Sequence, residues 1–287
     1  MRPKCKYSLG FPEFVTKEPV NLRRSLKMKR IVLVSLMFLL LSAFGIAYAK
    51  VTNDDIVGLW LMDDSGKTVV DSSNNKFNGE IQGNDTKSVD GKFGKAISFT
   101  GDAKSWVLVP YNEKLALSQF SCCVWLKSQK MDWQVIVQRN AFDGGDGSGN
   151  NNYSLFTDPA GIVTNGFSDD AGGWNTVVST TSVADGSWHH IVGSYDGKLL
   201  TIYIDGKKEA ELAVKANPVL HKQPFVIGGD NRESANTKGA IDEVVITKRA
   251  LTDDEIKEII ANGMAKISAV SSGDKLPAFW GQVKVNP

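Results

Sequence analysis

Oxygen-bearing side chains concentrate early in the chain, as Asp63-Asp64 and then Asp71-Ser72-Ser73-Asn74-Asn75. Calcium takes about six to eight oxygens from carboxylates, amides and carbonyls, and Asp71, Ser72, Asn74 and Asn75 offer such groups in one tight loop, with Asp63 or Asp64 to complete the shell. The same residues also make an ordinary turn held by side-chain-to-backbone hydrogen bonds. A second polar run, 143–152, sets Asp146, Ser148 and Asn150 at an EF-hand-like alternate spacing. Asn151 stands where that loop needs glycine and Thr157 where it needs its bidentate acid, so the run reads as a rim loop, the kind of place where ligands are met. Trp125, Trp133 and Trp174 present flat aromatic faces of the kind that stack on the apolar faces of sugars, although a sandwich core also consumes tryptophan. Trp174 lies in Asp169-Asp170-Ala171-Gly172-Gly173-Trp174-Asn175, a loop too polar to bury it. Arg139 can hydrogen-bond sugar hydroxyls or pair with an acid. His189-His190 suggests a base or a metal ligand, but strand neighbours face opposite ways, so one site could use only one of them.

These residues need a scaffold, and its clearest local signal is a hairpin. Trp188–Tyr195 and Leu199–Ile204 are β-rich runs joined by Asp196-Gly197-Lys198 and closed by Asp205-Gly206. Asp-Gly between such runs marks a tight turn, because glycine reaches positive φ at no steric cost. Further strands are expected around 55–61, 80–82, 94–99, 106–110, 120–129, 133–139, 153–157, 161–167, 176–181, 209–214, 225–228 and 240–247. In 120–129, Cys122, Val124 and Leu126 share one face, and Cys123 and Trp125 the other. Adjacent cysteines on opposite faces would need a strained turn to form a disulfide. Thr252-Asp253-Asp254-Glu255 is a capping box that opens a helix, Ile256, Ile259 and Ile260 give it an apolar stripe, and Gly263 stops it. The expected fold is all-β, an antiparallel two-sheet β-sandwich (jelly roll) with one short C-terminal capping helix.

The first 49 residues read as an export signal with an N-terminal extension. Lys27-Met28-Lys29-Arg30 precedes the apolar run Ile31–Ala47, and Ala47-Tyr48-Ala49 is a small-x-small cleavage pattern, with Met28 a candidate start. Secretion or another extracytoplasmic location follows, with no stable membrane span after cleavage behind Ala49. Taking nine bases and two acids from the chain's 33 and 32 leaves 24 and 30, a net charge of −6. An acidic exported domain has no electrostatic reason to seek nucleic acid. The domain itself is expected over 50–265, with 266–287 a tail or a final strand.

Gly58-Leu59-Trp60 with Asp63-Asp64, the 71–75 loop, Phe120–Lys127, Gly186–Ile191, Tyr195-Asp196-Gly197 with Tyr203–Gly206, and Gly239–Val244 with Arg249–Thr252 follow one another across about 53–263. In this order they resemble laminin-G-like domains of the concanavalin A-like jelly-roll superfamily. The first turn departs from that pattern by one residue, and the cysteines of the family's usual disulfide are absent. The resemblance implies one concave and one convex antiparallel sheet, and members that bind glycans, proteins or calcium, with some glycanases among the relatives. It also implies that Asp242, in the last strand, meets the N-terminal strand and its loop, which makes Asp64, Asp71, Asn75 and Asp242 the expected calcium ligands. Trp125, Trp133, Arg139 and Trp174 are the expected ligand-binding residues. Glycanases of this fold carry their carboxylates on one strand, about 5 Å apart in retaining enzymes, and no strand here has that alternation. The expected function is therefore a secreted, non-catalytic module that binds carbohydrate or an extracellular protein, with a structural calcium. A polysaccharide-active hydrolase or lyase, or a surface adhesion component, is the alternative.

Overall fold

Strand alternation sorts the chain into layers. The computed structural model describes residues 50–101, 105–140, 151–229 and 235–267. The expected export signal, almost all of the 143–152 loop and residues 268–287 lie outside the described residues. The first nine strands are β1 (Ile56–Trp60), β2 (Thr68–Val69), β3 (Gly79–Gln82), β4 (Lys87–Asp90), β5 (Lys95–Thr100), β6 (Trp106–Val109), β7 (Phe120–Gln129), β8 (Gln134–Arg139) and β9 (Tyr153–Thr157). They continue as β10 (Ile162–Ser168), β11 (Trp174–Ser182), β12 (Asp185–Tyr195), β13 (Leu199–Ile204), β14 (Lys207–Ala213), β15 (Phe225–Ile227) and β16 (Lys238–Thr247), followed by helix α1 (Asp253–Asn262). The first sheet runs β14-β13-β12-β7-β16-β5-β4, with β1 also paired to β16, and the second runs β11-β10-β9-β8-β15-β6-β3-β2. Both are antiparallel throughout. No helix among the described residues is long and apolar enough to cross a membrane.

On β7, Cys122, Val124 and Leu126 face the core between the sheets, where they meet Tyr153, Leu155, Phe167 and Phe225 of the second sheet. Trp60 stacks on Phe225 across the sandwich, with ring centroids 5.2 Å apart. Asn165 is the polar crossing of this core. Its Nδ2 donates to the Thr201 carbonyl at 2.8 Å, and it fits because Gly193 opposite has no Cβ to collide with its amide. On the opposite face of β7, Ser121 accepts from Leu251 N–H, and Cys123 packs with Val192, Val245, Ile256 and Ile259 under α1. Both cysteines are buried and free.

The capping box on α1 forms as its residue types require: the Thr252 side chain accepts from Glu255 N–H, and Glu255 reaches back to Thr252 N–H. Glu255 has a second role. Arg249 binds its two oxygens at 2.6 and 2.9 Å and binds both Asp55 oxygens at 2.9 and 3.1 Å, so one guanidinium ties the start of the domain to the helix. The helical segment resumes at 264–267, where Met264 and Ile267 are buried.

The two histidines of the hairpin diverge as alternation demands. Burial pulls the His189 pKa down, but its Nδ1 lies 2.8 Å from Asp205 and its Nε2 3.2 Å from Asp185, and these carboxylates make the net shift upward. His190 is fully buried 5.0 Å from the Trp125 ring, neither ring nitrogen has a partner, and burial pushes its pKa down to about 3.

Two outcomes follow. Arg249→Ala leaves the buried Glu255 carboxylate uncompensated and should cost about 3–5 kcal/mol in urea unfolding; a loss within experimental error would show that the clamp is dispensable. His190 stays neutral in the fold while the unfolded imidazole protonates near 6.5. The unfolded state therefore binds the extra proton, and stability is lost as pH falls from 6.5 towards about 3. His190→Phe should flatten that acid limb of the melting curve, and an unchanged limb would assign it to other groups.

Candidate functional site

Three of the expected calcium ligands turn out to be engaged elsewhere. Asp71 is fully buried, and its Oδ1 accepts from Leu59 N–H and Ser73 N–H while its Oδ2 accepts from Phe77 N–H and the Ser73 hydroxyl, at 2.7–2.9 Å. Those bonds take about all four of the lone-pair positions a carboxylate has. Asp71 organises a turn that anchors β1, and its oxygens are committed to that turn. Asn75 donates to the Val57 carbonyl and accepts from Lys114, and Asp64 accepts from Val70 N–H.

Asp242 is different. It points out of the core beside Trp125, as alternation predicts, and is fully buried beneath the 91–95 turn. Its Oδ2 accepts from Phe93 N–H at 2.9 Å and the Lys92 and Glu243 N–H groups also face the carboxylate, while Oδ1 has no partner of good hydrogen-bond geometry. Burial, with a contribution from the charge of Asp63, pushes its pKa up to about 6. Asp63, rather than Asp64, is the acid beside it, and Asp63 accepts from Lys95 N–H at 2.7 Å. The next residue, Glu243, sits in a β-bulge at φ 43°, where its carboxylate turns to receive Met264 N–H at 2.9 and 3.0 Å. Burial, again foremost, raises its pKa to about 7. No group of three or more His, Cys, Asp or Glu side chains among the described residues is gathered as a metal cage.

The tryptophans also separate. Trp125 is buried, covered by Lys92 with its ammonium 4.5 Å above the ring and by Phe93 at 6.1 Å, so it cannot offer a face to a sugar. Arg139 is fully buried as well. Its Nη2 donates to the His221 carbonyl at 2.6 Å, and its guanidinium lies 5.9 Å from the Tyr111 ring, away from any surface ligand. Both expectations fail, in different surroundings: Trp125 lies on an outer face that the 91–95 turn covers, whereas Arg139, paired with the core residues Phe225 and Tyr153, points between the sheets.

Trp133 and Trp174 do meet on the surface. They are 50% and 45% exposed and bracket Phe156, at 5.6 Å from Trp133 and 6.4 Å from Trp174, the latter pair nearly parallel at 20°. Together they form an aromatic strip on the outer face of the second sheet. Its rigidity comes from below and beside. The Trp174 ring lies against Gly166 of β10, where a Cβ would fall 2.9 Å from Cζ2, so only glycine lets the indole rest on the sheet. Asp169 holds the preceding loop by accepting from Ala171 and Gly173 N–H and from Asn175 Nδ2. The indole is thus pre-positioned against the backbone of β10 while 45% of the residue stays exposed. Phe156 was missing from the expected set, although its outward place in β9 follows from the buried Leu155 beside it.

A second concave feature lies on the outer face of the first sheet. It is a groove of about 580 Å³ that β4, a strand not expected from the sequence, walls on one side.

Comparison with known proteins agrees with this architecture. Sequence comparison with curated proteins gives no match. Domain 4 of AbnA, a GH43 extracellular arabinanase from Geobacillus stearothermophilus, solved with arabinotriose, is 20% identical with a TM-score of 0.58, covering 72% of this chain and 98% of that one. The binding domain of Paraclostridial Mosquitocidal Protein 1 is 18% identical with a TM-score of 0.57, covering 72% and 52%. The binding domain of botulinum neurotoxin serotype D is 14% identical with a TM-score of 0.54, covering 73% and 52%. The chain thus spans about half the length of these toxin binding domains, and at such identities the likeness is one of fold. A family model described as the concanavalin A-like lectin/glucanases superfamily matches residues 100–257, more than half of the sequence. With its two-sheet jelly roll, the chain belongs to that superfamily.

Proposed function

We propose that the protein is an exported, non-catalytic carbohydrate-binding module whose sugar platform is the strip Trp133–Phe156–Trp174. The observation that carries this reading is the strip itself: two half-exposed indoles and a phenyl ring in a row, braced by Gly166 and the Asp169 turn. Large exposed aromatics in contact cost solvation in the free protein, and a pyranose or furanose ring laid along them would recover it. Few charges are needed for such a ligand, which suits a neutral oligosaccharide. The arabinotriose bound in the study of the AbnA domain makes arabino-oligosaccharide the first ligand to try. Export is supported by the charged, apolar and small-x-small order of residues 27–49.

A structural calcium is part of the same proposal, with its ligands revised. The unpartnered, buried Oδ1 of Asp242 next to Asp63 is what a divalent cation would satisfy. Asp63 and Asp242 would hold it, and the cation would cancel the repulsion between them and lock the 91–95 turn to β16. Asp71 and Asn75 take no part.

Titration with arabinotriose and longer arabinan fragments should give binding that the Trp133→Ala/Trp174→Ala pair abolishes, with about 2 kcal/mol lost per indole and little change in melting temperature. A double variant that binds as well as the parent would overturn the platform. A reducing-sugar assay on the same substrates should show no turnover; activity that disappears on changing one carboxylate would make the protein an enzyme. Added calcium should raise the melting temperature by a few degrees, and Asp242→Asn should remove that response while Asp71→Asn lowers stability without touching it. Indifference of the parent to both calcium and chelator would eliminate the metal.

A further inference from the structure

The outer face of the first sheet is divided into three bands by what lies over it. The band of Cys123, Val192 and Val245 is sealed by α1. In the next band, Trp125 and Asp242 lie under Lys92 and Phe93, and His190 is buried beside the Trp125 ring. The third is open. In it Trp188, Lys127, Ala240, Ser98 and Lys87 are direct cross-strand neighbours over β12, β7, β16, β5 and β4, and they floor the groove of about 580 Å³. Lys238 stands beside this row.

Its chemistry differs from that of the aromatic strip. Lys87, Lys127 and Lys238 are exposed, and no carboxylate among the described residues pairs with any of them. Among the described residues two acids line the groove, but Asp90 is already held by Lys95 at 2.8 Å, which leaves Asp85 against three ammonium groups. The domain carries a net charge of −6 once residues 1–49 are set aside, so a local excess of positive charge runs against the rest of the molecule. Trp188, half-buried in that floor, supplies an aromatic ring next to those charges. A volume in the range of about 300–1,000 Å³ is that of a site for a small ligand or a few residues of a polymer, not for a flat protein partner.

We propose that this groove is a second saccharide site, and that it takes a polysaccharide bearing anionic groups: Trp188 stacks on a sugar ring while Lys87, Lys127 and Lys238 hold its carboxylate or sulfate. The module would then carry a neutral-sugar strip on one sheet and an acidic-sugar groove on the other. The groove stands independently of the aromatic platform, since it shares no residue with it.

The test is affinity electrophoresis and calorimetry of the full chain with polygalacturonate as the carboxylate probe, a sulfated glucan as the sulfate probe and polyglutamate as a non-sugar polyanion. Binding to either sugar polyanion is expected, weakening steeply as salt rises from about 50 to 500 mM, because exposed ammonium–anion contacts are screened over that range. The Lys87→Ala/Lys127→Ala pair, whose side chains are exposed and cost nothing in the core, should weaken it about tenfold or more. The Trp133→Ala/Trp174→Ala pair should leave it unchanged. Which of the two sugar probes binds tells carboxylate from sulfate recognition. The proposal is overturned if neither sugar binds, if the lysine pair binds as the parent does, or if polyglutamate binds as tightly as the sugars.

Discussion

The rest of the structure depends on the period of two in β7. Because side chains alternate along a strand, a single run of ten residues must satisfy two environments at once. Inward, Cys122, Val124 and Leu126 fill the space between the sheets. Outward, Cys123, Trp125 and Lys127 meet in turn a helix, a turn and solvent. A slip of one residue would put Lys127 into the core and Leu126 into the groove. β12 and β16 pair with β7 on either side, each with one bulge, so the same slip would disorganise the helix layer and the groove together.

Polar burial is where the protein departs from a plain sandwich. Asp71 is buried and fully bonded, and this is the stable solution: an acid that replaces missing backbone partners in a turn. His190 is buried with no partner for its ring and stays uncharged. Asp242 keeps one oxygen unpartnered next to a second acid, and β16 bulges immediately after it to place Glu243 at positive φ. Unsatisfied groups and backbone strain of this kind persist only where surrounding structure enforces them. Here the enforcement comes from α1 and the residues after it, which Glu243 holds through Met264 N–H and Arg249 holds through Glu255.

Local chemistry made most of the framework legible. The Asp196-Gly197 turn, the alternation in β7 and the Thr252–Glu255 capping box each depend on residues within a few positions of one another, and each stands as read. The helical turn at 264–267 and the short polar strand β4 were not legible. Lys87–Asp90 has no apolar period to reveal it, and it becomes a strand only because β5 offers an edge to pair with. The site residues split in the same way. Trp174 could be placed at the surface because its own loop is too polar to bury it, whereas Trp125 could not be judged, since the residues that cover it, Lys92 and Phe93, lie over thirty positions away.

The sequence by itself determined a two-sheet antiparallel fold, its hairpin, its capping helix and the outward pointing of Asp242, because each follows from spacing of two or of three to four residues. Only the tertiary structure decided which polar groups remain free for a ligand. Asp71 and Asn75 are consumed by a turn, Arg139 and Trp125 are covered, and Trp133, Phe156 and Trp174 are brought into one strip from two strands and the segment just before β8. The groove over Lys127 exists because α1 and the 91–95 turn stop one band short of it. Availability is a matter of what lies above a side chain, and in a sandwich that neighbour comes from a distant part of the chain.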